Sequence, residues 1–246
     1  MAEVALALMR TLASLRSGRV WFYVLTPAFF SLILSLVLAL SLLGWLVQQI
    51  LDYPPMSFLV AWGMVWLAHI LAYLGGWMAI FAVAYLTASL LAAIVIMPLM
   101  LNYLSQTEYR DVAPMGKDSF VAATVNSLLA SVLFVLGWLV TLPLWLIPGF
   151  SLLIPLLLMG WLNRRTFAYD ALSLHATAEE WREIRSRHKR PLFMLGLTMA
   201  LFAHVPLLGL LVPALAALAF IHYTLEALRR ARGGAILTGT AERVVE

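Results

Sequence analysis

Four consecutive residues near the start of the chain, Arg16-Ser17-Gly18-Arg19, have the types and the spacing to hold an oxyanion. Gly18 suits a left-handed cap at the end of a first helix. A second helix beginning at about Arg19 would then place free N–H groups and its positive end beside two guanidinium groups. The alternative is an ordinary cationic flank that contacts lipid phosphate.

Histidines are the other candidates for chemistry at membrane depth. His69, His204 and His222 fall within long apolar runs, and ionisable groups inside a membrane are functional candidates by default. His204 directly precedes a proline-containing stretch, where it could sense protons or contact a polar ligand. The alternative, which we favour for each histidine, is a neutral imidazole bonded to a carbonyl or to an interfacial partner.

The motifs of soluble enzymes and pumps are missing. The chain has no cysteine and no G-x-x-x-x-G-K-[ST], G-x-G-x-x-G, H-E-x-x-H or G-x-S-x-G sequence. His175 and Glu179 have i,i+4 spacing, but two ligands without a third do not make a metal site. We therefore expect neither enzymatic activity nor a catalytic residue, and neither a cofactor nor a metal.

Composition predicts an integral membrane protein. Of the 246 residues, 63% are hydrophobic and 11% are charged, whereas soluble domains are about half apolar and about a quarter charged. The formal net charge of +4 is small. It fits basic cytoplasmic loops better than nucleic-acid binding, so we expect membrane lipids and no nucleic acid among the partners.

The first half of the chain predicts an amphipathic helix over residues 3–16 and spanning segments over 20–47 and 58–104. The second span could be one long helix. It could also be a short interfacial helix followed by a spanning one, divided near Gly75-Gly76.

Two later apolar runs, residues 120–162 and 191–228, share an internal pattern. Pro148 and Pro155 enclose six residues, and Pro206 and Pro213 do the same 58 residues later. Each pair lies midway along its run, which makes a weak internal repeat.

The distribution of positive charge predicts the topology. All 16 Lys and Arg residues lie within 1–19, 102–119, 163–190 and 229–246, and none lies within 48–57. The positive-inside rule then places both termini in the cytoplasm, and each later run begins and ends on the cytoplasmic side.

Length decides between two crossings and a re-entrant hairpin. Residues 191–204 would span about 21 Å and residues 213–228 about 24 Å as helix, against a hydrocarbon core of about 30 Å. Residues 148–161 are short by the same measure, though residues 120–142 could cross fully. We therefore predict two hemi-penetrating hairpins, although the prolines could instead kink packed helices. Broken backbone at depth would offer N–H groups to an anion along a pathway. The candidates are Pro148, Gly149, His204, Pro206, Gly209 and Pro213.

The domain organisation follows from these segments. We predict one membrane domain over 1–232 and a polar tail over 233–246. Within the basic segment 163–190, Thr177-Ala-Glu-Glu180 predicts a capping box that opens a short helix.

Several stretches resemble the etoposide-induced protein 2.4 family, whose bacterial branch includes the CysZ-type sulfate permeases. They read LASLRSGRVWFYVLTP, PLMLNYLSQ, WLNRRTFAYDAL and LGLTMALFAHVPLLGLLVPALAALAFIHYTLEALRR. The resemblance implies an all-α membrane fold with two long transmembrane helices and two re-entrant hairpins, oligomers, and sulfate uptake. The Pro-Gly-Leu-Arg-type turn that contacts sulfate in the permeases falls on Ser17-Gly18-Arg19, which lacks the proline and the leucine.

These patterns favour a permease or channel for sulfate or a similar oxyanion, and we expect a homo-oligomer in the bacterial inner membrane. Arg16, Gly18 and Arg19 would capture the ion at the cytoplasmic surface. The alternative is a non-transporting scaffold or assembly factor. In that case the basic segment 163–190 would bind anionic lipid or a partner protein.

Overall fold

The protein is all-helical, as the apolar runs predict. The computed structural model describes residues 2–116, 120–147, 149–205 and 208–234, and within these ranges the chain forms ten α-helices and no β-strand. The helices are α1 (Ala2–Ser14), α2 (Gly18–Asp52), α3 (Met56–Ala61), α4 (Val65–Leu91), α5 (Met97–Thr107), α6 (Phe120–Thr141), α7 (Phe150–Ser173), α8 (Ala178–Arg187), α9 (Lys189–Ala203) and α10 (Leu208–Ala231).

Four helical segments are long and apolar enough to cross a membrane, counted over the described ranges. They are Gly18–Asp52, Val65–Thr107, Val121–Trp145 and Leu208–Ala231. The two remaining long helices differ from them. α9 has 15 residues, which is about 22 Å of helix and shorter than the hydrocarbon core. α7 changes from an apolar first half to a basic second half at Arg164.

The second long apolar run divides at a different place from the one expected. α3 is a short helix, and the break that follows it lies at Gly63, whose φ is +79°. From Val65 to Thr107 the chain is continuously helical, with a π-helical turn at Ala92–Ile96 between α4 and α5. The division that was placed near Gly75-Gly76 is therefore wrong.

These two glycines serve packing instead. A Cβ on Gly76 would lie 2.9 Å from the Leu43 side chain of α2, so the missing side chain lets the two helices approach. Gly76 belongs to a row of mostly small buried residues that recurs every fourth position along α4: Ala68, Ala72, Gly76, Ile80, Ala84 and Ala88. Small residues at such spacing allow close helix packing in a membrane.

The two later apolar runs each form a helical hairpin. α6 continues as a 3₁₀ turn over Leu142–Leu146, and Gly149, with a φ of +87°, precedes α7. The second hairpin consists of α9 and α10. Pro148 and Pro206 lie outside the described residues. Pro155 lies inside α7 and Pro213 inside α10, so neither lies in the turn of its hairpin.

α10 forms the centre of the molecule. It packs against α1, α2, α7 and α9, and from Val212 to Arg229 nearly every residue is buried. By contrast, α2 and α6 expose many large apolar side chains, such as Leu40 and Val140. Such surfaces suit contact with lipid.

Candidate functional site

The turn between α1 and α2 does not use a left-handed glycine. Ser17 is the N-cap of α2, with extended backbone angles, and Gly18 is the first helical residue. The positive-φ glycines of the described chain are Gly63, Gly149 and Gly233. The expectation of a left-handed cap at Gly18 is therefore wrong. Short 3₁₀-type bonds, from the Arg16 and Ser17 N–H groups to carbonyls three residues earlier, close the turn without it.

Arg16 and Arg19 are exposed at this turn. Over the part of the chain that the structure describes, neither guanidinium pairs with a carboxylate. Arg19 lies over the ring of Tyr103, with 5.4 Å between the guanidinium carbon and the ring centre. The Ser17 hydroxyl lies 3.1 Å from the Tyr103 hydroxyl. Tyr103, from α5, was not predicted from the sequence. Its position in a helix just before the polar loop is the one sequence signal that could have identified it.

This arrangement can offer several donors to an anion. The first N–H groups of α2 have no partner within the helix and carry the positive end of its dipole. A Cβ at Gly18 would meet nothing within 4 Å, so the backbone there is open. Guanidinium forks and backbone N–H groups together suit a tetrahedral oxyanion.

A second polar cluster lies between α1, α10 and the loop after α5, and sequence reasoning missed it. We call it the α1–α10 network. Arg10 donates to the Glu226 carboxylate at 2.5 Å and to the Tyr109 hydroxyl at 3.2 Å. Arg229 donates to Asp111 at 2.5 Å and to Glu226 at 3.3 Å. One signal could have found it, because a lone Glu226 in an apolar run requires a buried cation as its partner.

Further ion pairs extend this network. Arg230 contacts Glu3 at 3.2 Å and Glu226 at 3.3 Å. Tyr223 donates to Glu3 at 3.0 Å.

The loop members of the network have shifted pKa values. Burial raises the pKa of Tyr109 to about 12, although Arg10 opposes the change. Partial burial alone would raise the pKa of Asp111, but the bond from Arg229 outweighs it and holds the pKa below its usual range. The network thus holds the phenol of Tyr109 neutral and the carboxylate of Asp111 ionised.

The three histidines of the apolar runs each have a partner inside the protein. His222 is fully buried, with Ser14 Oγ 2.9 Å from Nε2 and the Tyr109 hydroxyl 3.0 Å from Nδ1. Nδ1 of His204 lies 2.8 Å from the Ala200 carbonyl, and that of His69 lies 2.9 Å from the Val65 carbonyl. His69 and His204 thus each contact a carbonyl of their own helix four residues earlier, and His222 contacts two side chains.

Four of the six pathway candidates, Gly149, His204, Gly209 and Pro213, fall within the described residues. Gly149 is exposed and in the left-handed region. Gly209 follows the second turn, where a Cβ would collide with the Ala203 carbonyl, so glycine permits the close approach of α9 and α10. His204 is exposed at this turn, whereas Pro213 is buried in α10. Pro148 and Pro206, as stated, fall outside the described residues.

The basic segment carries the expected capping box. The Thr177 hydroxyl accepts from the Glu180 N–H, and the Glu180 carboxylate accepts from the Thr177 N–H, which confirms the box. Glu180 also accepts two bonds from Arg232, at 2.8 and 2.9 Å. These bonds, with that from the Thr177 N–H, lower the pKa of Glu180 to about 2 despite its partial burial.

His175 and Glu179, the i,i+4 pair, do not come together with further ligands. His175 is buried, and burial together with the charge of Arg232 lowers its pKa. Glu179 is exposed. Among the described residues there is no group of three His, Cys, Asp or Glu side chains that could hold a metal ion.

One known family matches the chain. The family model described as sulfate transporter CysZ/etoposide-induced protein 2.4 matches residues 7–213. No curated protein and no solved structure matches. The matched range includes the α1–α2 turn, both hairpin turns and the basic segment.

Proposed function

The chain belongs to the sulfate transporter CysZ/etoposide-induced protein 2.4 family, and on that premise we propose that it is a membrane permease or channel for sulfate or a similar oxyanion. The observation that carries the proposal is the pair of exposed, carboxylate-free guanidinium groups, Arg16 and Arg19, at the start of α2. By contrast, Arg10 of α1 pairs with Glu226, and Arg230 pairs with Glu3 of α1.

The proposed capture site acts through charge and hydrogen bonding. Arg16 and Arg19 attract the anion from the cytoplasm, and the first N–H groups of α2 at Gly18 donate to its oxygens. Tyr103 fixes Arg19 by lying beneath its guanidinium and approaches Ser17 through its hydroxyl.

The membrane arrangement completes the proposal. The two hairpins, α6–α7 and α9–α10, enter from the cytoplasmic face and turn back within the bilayer, and both termini face the cytoplasm. The shortness of α9 supports the re-entrant arrangement of the second hairpin, because 15 residues do not reach the opposite surface, whereas α6 and α10 are long and apolar enough to cross. The hairpin turns near Gly149 and His204 then line the route in a homo-oligomer of the bacterial inner membrane.

Flux through the purified protein tests the transport proposal. Proteoliposomes that contain the full chain should take up labelled sulfate faster than protein-free liposomes, and an Arg19→Ala variant should lose most of that uptake. Arg110→Ala is the matched control, since Arg110 is an exposed arginine outside the turn. Unchanged uptake in the Arg19→Ala variant would remove the proposed capture site. Wild-type flux no greater than that of empty liposomes would remove the permease.

Thiol labelling tests the hairpins, and the cysteine-free chain allows single-cysteine variants. A membrane-impermeant maleimide that reaches the periplasm of intact cells should label the Tyr53→Cys variant, because Tyr53 is exposed in the loop after α2. It should not label the Val205→Cys variant. Labelling of both variants to the same extent would place the α9–α10 turn in the periplasm and exclude the re-entrant arrangement.

A second candidate function is a membrane scaffold or assembly factor. The observation that favours it is the dense positive charge of the segment 163–190, whose seven cations include only one, Arg187, with a carboxylate partner among the described residues. A partner protein that co-purifies in a fixed ratio, combined with the absence of sulfate flux, would support the scaffold over the permease.

A further inference from the structure

A groove between α7, α8 and α9 carries an unusual concentration of positive charge. Its cavity measures about 490 Å³, which is within the range of ligand pockets. Five of its side chains are cationic: Arg164 and Arg165 from α7, Arg182 and Arg185 from α8, and Lys189 from α9. No aspartate or glutamate lines the groove, as far as the described chain extends.

These cations have no neutralising partner. None of the five takes part in an ion pair within the described ranges. Arg185 lies 4.9 Å from the ring centre of Trp181, and Arg164 lies 5.9 Å from that of Phe193. Aromatic faces orient a guanidinium without removing its charge. Burial is the main cause that lowers the pKa of Arg164, and the charges of Arg185 and Arg165 add to it; a bound anion would offset the repulsion among these charges.

The groove also has an apolar floor and a particular position along α7. Ala168, Leu172 and Leu192 are buried beneath the cations. The preceding turns of α7 expose Leu152, Leu153 and Leu157, a surface suited to acyl chains, and the positive charges begin at Arg164. The groove therefore starts where the lipid-facing surface of α7 ends.

From this juxtaposition we infer that the α7–α9 groove binds the phosphate head group of an anionic phospholipid. The guanidinium groups donate hydrogen bonds to the phosphate oxygens. The apolar floor and the exposed leucines contact the first part of the acyl chains. A free phosphate offers the same charge but no apolar portion, so the position of the groove favours the lipid. The inference is independent of whether the chain conducts sulfate.

Lipid-dependent thermal unfolding of the full-length protein in detergent tests this inference. Phosphatidylglycerol should stabilise the wild type, whereas phosphatidylcholine and inorganic phosphate at the same concentration should not. In an Arg164→Gln/Arg185→Gln variant the apparent affinity for phosphatidylglycerol should fall roughly thirtyfold, as expected for two charges near a membrane surface. The control Arg110→Gln/Arg187→Gln removes two exposed charges outside the groove and should stay within about twofold of wild type.

A second variant protects the test against misfolding. Arg182→Gln/Lys189→Gln changes only exposed side chains of the groove, so it should fold normally and still lose phosphatidylglycerol binding. An equal loss in the control variant would show diffuse surface attraction and overturn the groove as a site. Stabilisation by inorganic phosphate equal to that by phosphatidylglycerol would overturn the lipid as its occupant.

Discussion

Two groups of arginines near α1 have opposite surroundings. In the α1–α10 network, Arg10, Arg229 and Arg230 each meet a carboxylate at 2.5 to 3.3 Å. At the α1–α2 turn, Arg16 and Arg19 meet none over the described ranges and are exposed. Both groups belong to the basic stretches that the positive-inside rule assigns to one side of the membrane. The amount of positive charge in a stretch therefore does not distinguish structural arginines from those available to a ligand. The presence or absence of a carboxylate partner does.

Burial explains the difference. The side chains of Arg229 and Glu226 are 5% and 7% exposed, and an isolated charge at such a depth is costly, so each must have a partner. Arg16 and Arg19 remain in water and need none. The network holds α1 against α10, and the turn leaves its charge free for an anion.

Removing the central carboxylate should produce the largest loss of stability. Glu226→Ala leaves Arg10 without its only carboxylate partner among the described residues and takes one from Arg229 and Arg230, and we expect a loss of about 3–5 kcal/mol in the free energy of unfolding. Thermal or denaturant unfolding in detergent measures it. The control is Glu183→Ala, which breaks the exposed pair with Arg187 and should cost less than about 1 kcal/mol. Equal losses would mean that the network does not stabilise the protein.

Asp170 offers the reverse case, a buried carboxyl with no cationic partner in the part of the chain that the structure describes. It is 5% exposed and accepts a bond from Ser127 at 3.2 Å, while its Oδ1 has no partner within the described residues. Burial raises its pKa to about 8, although the Ser127 bond opposes the change. Asp111, which faces Arg229, has its pKa lowered instead. The two aspartates thus show that a neighbouring cation decides whether the pKa of a carboxyl group is lowered or raised.

This contrast predicts a pH dependence. Because the pKa of Asp170 is higher in the folded state than in the unfolded state, folding takes up a proton between about pH 4 and pH 8. Stability should therefore fall as the pH rises through that window, by at most about 5 kcal/mol. An Asp170→Asn variant should lose this component and be more stable than wild type at pH 8. Identical pH profiles for both proteins would contradict the assignment.

A smaller effect is expected at Glu180, which is paired at the protein surface. Its pKa of about 2, below the unfolded value, means that its contribution is present above about pH 4.5 and is lost as the pH falls toward 2. Glu180→Ala removes the bonds from Arg232 and half of the capping box, and should cost about 1–2 kcal/mol at pH 7. Unfolding at pH 7 and pH 3 measures both effects. A cost that does not shrink at pH 3 would show that packing, not charge, is responsible.

The sequence predicts local features well and distant pairings poorly. The apolar runs predict the helical class, and Thr177 and Glu180 predict a capping box, because these features depend on residues close in the chain. The bond from Arg10 to Glu226 joins residues 216 positions apart, and no local pattern specifies it. The helix break predicted near Gly76 was wrong for a related reason. A glycine in an apolar run suggests a break, but its role depends on the helix that packs against it.

The α1–α2 turn should show the smallest change in stability and a large change in transport. In an Arg16→Gln/Arg19→Gln variant no buried partner is left alone, so the free energy of unfolding should stay within about 0.5 kcal/mol of wild type. Sulfate uptake into proteoliposomes should fall about tenfold or more, since the two cations are the charges that the capture site offers. Arg16→Lys/Arg19→Lys keeps the charge without the forked geometry, and it should recover only part of the uptake. A loss of stability comparable to that of Glu226→Ala, with uptake preserved, would contradict this prediction. It would mean that the arginines of the α1–α2 turn stabilise the fold and do not capture the anion.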